Sequence, residues 1–243
     1  MSKVTSNPDD YATAYGPDFS YELDNRLILK WYPQRVAQKM LNGSLLELGI
    51  GHGYSTREFA QGVSDYVVLE GSSRVINNFR DNNPDLNSIS IINTYFEEYE
   101  CEQAFDNIVL GFVLEHVDDP VTIIRKYKKC MTGQGRMFIA VPNSGSMHRR
   151  VGKLSGLLDD LESLSDADLK LGHQRYFNVV KIRQIANECG LKVISEEGLF
   201  LKALTTSQLD SLQLSEEIFS GFMKLGVDYP ELSAALLVEL AHE

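Results

Sequence analysis

The stretch Leu45-Leu46-Glu47-Leu48-Gly49-Ile50-Gly51-His52-Gly53-Tyr54-Ser55 decides the reading of this chain. An apolar run ends in three glycines at alternate positions, and the polar, helix-compatible residues 55–60 follow directly. That order describes a buried strand, a tight loop and the start of a helix. Glycine is needed where the backbone takes positive φ or lets a ligand come close. A helix start adds unpaired N–H groups and a partial positive charge that suit an anionic group. The stretch therefore reads as a loop for a nucleotide-type cofactor.

Outward from it, strands and helices alternate. Residues 66–70, 89–92, 105–111 and 136–142 are further apolar strands. Residues 55–61, 73–82 and 121–131 are helices, the second ended by Asn83-Pro84 and the third closed by Gly133. Near-continuous apolar strands separated by helices imply a parallel sheet covered on both faces, a doubly wound α/β domain. Ligands then bind at the carboxyl ends of the strands. Glu70 ends the second strand, 17 residues after Gly53, where a carboxylate can accept both hydroxyls of an adenosine ribose.

Upstream, residues 1–42 form an aromatic arm, with Tyr11, Tyr15, Phe19 and Tyr21, and a helical segment over 22–41 in which Pro33 restarts the helix or begins a second one. Downstream, residues 144–172 break the pattern with an amphipathic run marked by Leu154, Leu157, Leu158, Leu161 and Leu164. So long a connection suits a lid or a binding element. A helix over 179–188 and a strand over 192–195 follow. A second helical insertion spans about 205–230, with Ser215 as N-cap and Gly226 as C-cap.

The net charge is −11, which argues against a general nucleic-acid binder. Cys101, Cys130 and Cys189 form no CxxC pair, so neither a disulfide framework nor a zinc knuckle is suggested, and a cytoplasmic setting fits. The chain shows neither a signal-peptide core nor a membrane-length apolar run, and no membrane partner is expected.

Two cofactor classes use a glycine loop with an acidic residue on the second strand. The dinucleotide pattern wants Gly where Tyr54 stands. The Glu-x-Gly-x-Gly-x-Gly spacing of Glu47–Gly53 instead resembles motif I of class I S-adenosylmethionine-dependent methyltransferases. Residues 105–120 resemble the fourth-strand motif of the branch that includes ubiquinone-biosynthesis methyltransferases. Residues 135–143 resemble that branch's fifth strand, and Gly172-His173-Gln174-Arg175-Tyr176-Phe177 its entry into the next helix. The resemblance implies one methyltransferase domain over 1–243, a Rossmann-like seven-stranded sheet whose last strand is antiparallel, and helical lid insertions at 144–172 and 205–230. On that ground residues 235–241 are expected as a strand rather than a helix. It also implies a cofactor lining of Glu47, Gly49, Gly51, Gly53, Glu70, Gly71, Gly111 and Phe112. Tyr95 stands where the family has an acidic residue for the adenine amine, so the backbone there and Phe96 take that contact.

Methyl transfer from a sulfonium is an in-line displacement with a good leaving group. The protein must position the nucleophile and exclude water, and a hydroxyl acceptor also needs a base. Histidine suits that task at neutral pH. Of five histidines, His173 and His116 are the catalytic candidates. Tyr11, Tyr15, His148, Arg149 and Arg175 are candidate acceptor ligands, the basic run around His148 being suited to a phosphate or carboxylate on the acceptor. Asp118 and Asp119 fit a helix start, and no metal is expected. The expected acceptor is a small molecule, such as a sugar, a nucleotide-linked compound or a natural-product intermediate, methylated on oxygen or nitrogen by a monomer or homodimer. The alternatives are a non-catalytic S-adenosylmethionine-binding protein and an NAD-type oxidoreductase.

Overall fold

The computed structural model describes residues 22–243, so the arm residues Tyr11 and Tyr15 lie outside it. Seven strands form one sheet in the order β3-β2-β1-β4-β5-β7-β6. They are β1 (Leu45–Leu48), β2 (Tyr66–Glu70), β3 (Ser90–Asn93), β4 (Phe105–Gly111), β5 (Met131–Pro142), β6 (Leu191–Leu199) and β7 (Ala235–His242). The first five run parallel, and β7 runs antiparallel to both β5 and β6, so the C-terminal segment is a strand as expected.

Strand β1 sits between β2 and β4 with all four residues buried, which its unbroken apolar run requires. Its alternating side chains feed two cores. Leu46 and Leu48 pack with Ile123, Ile124 and Tyr127 of α4 (Pro120–Lys128) and Ile182 of α7 (Val179–Glu188). Leu45 packs on the other face with Tyr32 and Val36 of α1 (Glu22–Ala37), Phe79 of α3 (Ser73–Asn82) and Phe219 of α9 (Glu216–Gly226). Helix starts follow their caps. The Ser72 hydroxyl accepts from Val75 N, and Asp119 accepts from the amides of Val121 and Thr122 ahead of Pro120. Asp119 is thus a helix cap, as its neighbourhood implied.

Several expectations need correction. Helix α1 runs unbroken through Pro33. Its last turn is tied to the edge strand by Arg35, whose Nε and Nη2 each lie 2.8 Å from the Glu197 carboxylate. The leucine run of the first insertion is not one helix. α5 (Met147–Leu154) stops at Gly156, which takes φ +70°, and α6 (Asp166–Lys170) restarts from a reciprocal Ser165–Asp168 capping box. Leu154 and Leu157 are 89% and 83% exposed, so their spacing does not mark a buried face. β5 begins at Met131, where a helix was expected to persist, because Met131 already pairs with Phe105. Finally, Cys101 and Cys130 are joined by a disulfide, while Cys189 is buried and unpaired. Their separation of 29 residues hides a pairing that the sheet creates, since β4 is followed by α4 and a return to its own starting edge.

The second insertion holds α8 (Thr206–Ser211) and α9. Gly226 is the last residue of α9, not a left-handed cap, and its carbonyl accepts from the Ser233 hydroxyl at 3.1 Å. No helix among the described residues is long and apolar enough to cross a membrane.

Candidate active site

The glycine loop joins β1 to α2 (Tyr54–Phe59) with Gly49, Gly51 and Gly53 at φ +82°, +52° and +78°. Only glycine takes that region at little cost. Their tasks differ. Gly49 and Gly51 border a cavity of about 920 Å³. Gly53 does not border it. A Cβ there would come within 2.7 Å of the Phe79 ring, so this glycine lets α3 pack against the loop.

Glu47 also stands behind the loop and not in the cavity wall. It is buried, accepts from Thr56 Oγ1 at 2.7 Å, and is bonded to the Tyr66 hydroxyl. Burial pushes its carboxyl up to about 7 against the pull of those hydroxyl donors. Glu47 does not border the cavity, and in that place it braces the turn that the glycines make.

Glu70 does reach the cavity. Its two oxygens accept from Ile50 N at 2.9 Å and Ser72 N at 2.8 Å, which fixes the carboxylate across the loop and leaves lone pairs for a ligand. Gly71, Tyr95, Phe96, Gly111 and Phe112 line the same cavity. A Cβ at Gly111 would overlap the Tyr32 hydroxyl of α1. Phe112 holds φ +59°, an uncommon conformation for its type, with its ring edge-on to Tyr32 at 5.6 Å. Glu97 and Glu98 also border the cavity, close in sequence to Tyr95. These fit an adenosyl cofactor: open backbone at Gly49 and Gly51, a fixed acceptor at Glu70, and an aromatic wall at Phe96.

The same cavity continues to a cluster of imidazoles and carboxylates. The motif at 172–177 is laced onto the segment after β4. Gln174 N donates to Glu115 O at 2.8 Å, and Gln174 Nε2 donates to His116 O at 2.7 Å. The Arg175 guanidinium donates to the carbonyls of Leu114, Val117 and Asp118. This lacing brings Glu115, His116 and His173 together, with their ligating atoms all within 4.8 Å of one another and the two rings 4.8 Å apart. Behind His173, Asp168 Oδ1 lies 3.3 Å from Nδ1. Burial alone would raise the Asp168 carboxyl, but hydrogen bonds from His173 and Ser165 outweigh it and hold it at about 2. Burial also dominates at His116, whose pKa falls to about 3, and at Glu115, which is pushed up to about 7 against the charges of His173 and Arg175.

Of the expected acceptor ligands, His148 lines the cavity and burial drives its pKa down to about 3. Arg149 also lines it but donates to Leu161 O and Ser163 O, with its guanidinium 4.1 Å over the Tyr176 ring. Arg175 does not line it, and its donors serve the segment after β4. Sequence reasoning passed over Tyr32, Glu115 and Asp168. Glu115 is present only as one residue of the motif at 105–120. The one signal for Asp168 is the Ser-x-x-Asp start of α6.

The sheet order, with one antiparallel strand beside a parallel set and a glycine loop at the switch point, defines a class I methyltransferase fold. The sequence profile of a methyltransferase-domain family matches residues 21–196, and the chain belongs to that family. No curated protein sequence matches it. Solved structures agree with the fold. CcbJ methyltransferase from Streptomyces caelestis superposes with a TM-score of 0.65 at 14% identity, covering 98% of each chain. An S-adenosylmethionine-dependent methyltransferase from Thermotoga maritima, a possible histamine N-methyltransferase, gives 0.63 at 16% identity over 92% of this chain and 93% of that one. The N-methyltransferase NodS from Bradyrhizobium japonicum, in complex with S-adenosylhomocysteine, gives 0.61 at 14% over 98% and 99%. The protein is an S-adenosylmethionine-dependent methyltransferase.

Proposed function

We propose that this enzyme transfers a methyl group to an oxygen or nitrogen of a small molecule inside the chamber, working as a single domain in the cytoplasm. The observation that carries the reading is continuity: Gly49, Gly51 and Glu70 share one cavity with His116, His173 and Asp168. The ordered motifs also resemble those of the branch that includes ubiquinone-biosynthesis methyltransferases. S-adenosylmethionine, when bound, supplies a methyl group on a sulfonium. Gly49, Gly51, Gly71 and Gly111 give it backbone room, Glu70 takes the ribose, and Tyr95 and Phe96 flank the adenine. Glu47 and Gly53 support the loop from behind.

On the other side, His173 accepts the acceptor's proton, and Asp168 fixes its ring and offsets the imidazolium charge. His116, neutral in its buried place, holds the acceptor against the methyl group. Residues 144–172 supply His148, Arg149 and Asp168 to the wall, and residues 205–230 supply Thr205 and Thr206 together with the adjoining Lys202. Walls from both insertions exclude water and suit a small acceptor over a macromolecule. Calorimetry tests the foundation: S-adenosylhomocysteine should bind and NAD should not. Binding of NAD alone would refute the cofactor assignment. Tight S-adenosylhomocysteine binding without turnover on any acceptor would favour a non-catalytic binding protein.

A further inference from the structure

The acceptor half of the chamber has its positive charges spent and negative ones spare. Arg149 is committed to two carbonyls and an aromatic face. Lys202 pairs with Asp24 and with Thr206 Oγ1 at 3.0 Å. His148 and His116 are held neutral by burial. Among the described residues, the lining carboxylate atoms cut off from water and without a partner outside their own residue are both oxygens of Glu115 and Oδ1 of Asp24. Native structures rarely leave both oxygens of a buried carboxyl, as at Glu115, without a hydrogen-bond donor, because an unmet buried acceptor is costly. What is missing is a cation or a donor-rich group, and not the anionic group that the basic run at 147–153 suggested.

We propose that the acceptor is an amine, and that Glu115 is the residue that selects it. This rests on the methyltransferase reading of the site. The amine enters as an ammonium ion, which suits the wall formed by Glu115, His116 and His173. Before it can attack, it gives one proton to His173, whose Nδ1 lies 3.3 Å from Asp168 Oδ1. The nitrogen lone pair then forms the new C–N bond, while the electron pair of the broken C–S bond stays on sulfur to give a neutral thioether. The positive charge has moved from sulfur to nitrogen, into the part of the chamber where the unpaired carboxylate stands. An environment that favours that displaced charge lowers the barrier to the step itself. An alcohol would bring no charge to Glu115, and a carboxylate or phosphate would meet it with repulsion.

The test uses the full chain loaded with S-adenosylhomocysteine, in the presence of a chelator so that no metal ion substitutes for the amine. Benzylamine, benzyl alcohol and benzoate share size and shape but are cationic, neutral and anionic at pH 7. Their binding is measured by calorimetry or ligand-observed NMR on the parent protein and on Glu115→Gln. The parent should bind benzylamine at least tenfold more tightly than either analogue, and Glu115→Gln should lose that preference. Benzyl alcohol or benzoate binding as well as the amine, none of the three binding, or a preference that survives in Glu115→Gln would each overturn the proposal. The parent series needs no variant to fold. Failure of S-adenosylhomocysteine itself to bind would instead overturn the methyltransferase reading.

Discussion

The two halves of the chamber are built from different materials. The cofactor half is mostly backbone: Gly49, Gly51, Gly71 and Gly111 at the tips of adjacent parallel strands, with Glu70 pinned by two amides. The acceptor half is side chains, gathered from the segment after β4, from α5 and α6, and from the motif at 172–177. Backbone sites of the first kind tolerate no side chain but carry little charge chemistry. Sites of the second kind carry charge that burial has moved far from its ordinary range, as with Glu115 and His116. Shifted groups of this kind cluster where proton transfer is done. Substitutions in the two halves should therefore fail in different ways.

The largest effect is expected at Gly51, which holds φ +52° in the cavity wall. Gly51→Val should lose S-adenosylhomocysteine binding by at least about 100-fold, because a branched side chain both strains that conformation and fills the approach. Calorimetry measures it, and a normal affinity would sink the placement of the loop. Next is His173→Ala. Loss of a general base costs roughly 10²- to 10⁴-fold in rate, so kcat should fall in that range while the dissociation constant for S-adenosylhomocysteine holds within about twofold. If affinity fell and kcat did not, the division between the halves would be wrong.

That division also explains what the sequence made readable. A strand ending in Gly49-Ile50-Gly51-His52-Gly53, with Glu70 closing the next strand, has its meaning locally: φ, close approach and one carboxylate. The parallel sheet and the antiparallel β7 followed from the alternation and the family resemblance. The acceptor half depends on long-range lacing. Nothing near Glu115 shows that Gln174 and Arg175, about 60 residues away, will tie its segment beside His173. The basic run at 147–153 misled for the same reason. Its charge was plain, but the Leu161 and Ser163 carbonyls that absorb Arg149 become neighbours only when α5 ends at Gly156 and the chain turns back.

A smaller effect separates the halves by pH. The folded pKa of Glu115 is about 7, above an unfolded value near about 4.3. The folded state therefore holds this proton more tightly. Stability from this group is full below about 4, falls as pH rises, and is lowest above 7. Glu115→Gln removes the penalty without removing volume. The variant should melt close to the parent at pH 5 and above it at pH 8, at about 2–4 °C for each kcal/mol recovered in a chain of this size. The neutral histidines His116 and His148 titrate in both proteins and cancel in the difference. An equal shift at both pH values would mean that Glu115 is compensated by a partner, and would weaken its assignment as the amine selector.

The smallest effect is expected behind the glycine loop, where Glu47 takes hydroxyl donors from Thr56 and Tyr66. Tyr66→Phe keeps the ring in its buried place on β2 but removes one donor. A buried acceptor that loses a partner costs about 1–3 kcal/mol, so the melting temperature should drop by several degrees at neutral pH. The glycines keep their conformations and Glu70 keeps its two amides, so S-adenosylhomocysteine affinity should weaken only a few-fold. The same substitution should leave the benzylamine preference untouched, because Glu47 does not border the chamber and Glu115 does. A large loss of cofactor affinity in Tyr66→Phe, with the fold intact, would move Glu47 from bracing the loop to contacting the cofactor, as the motif alone suggested.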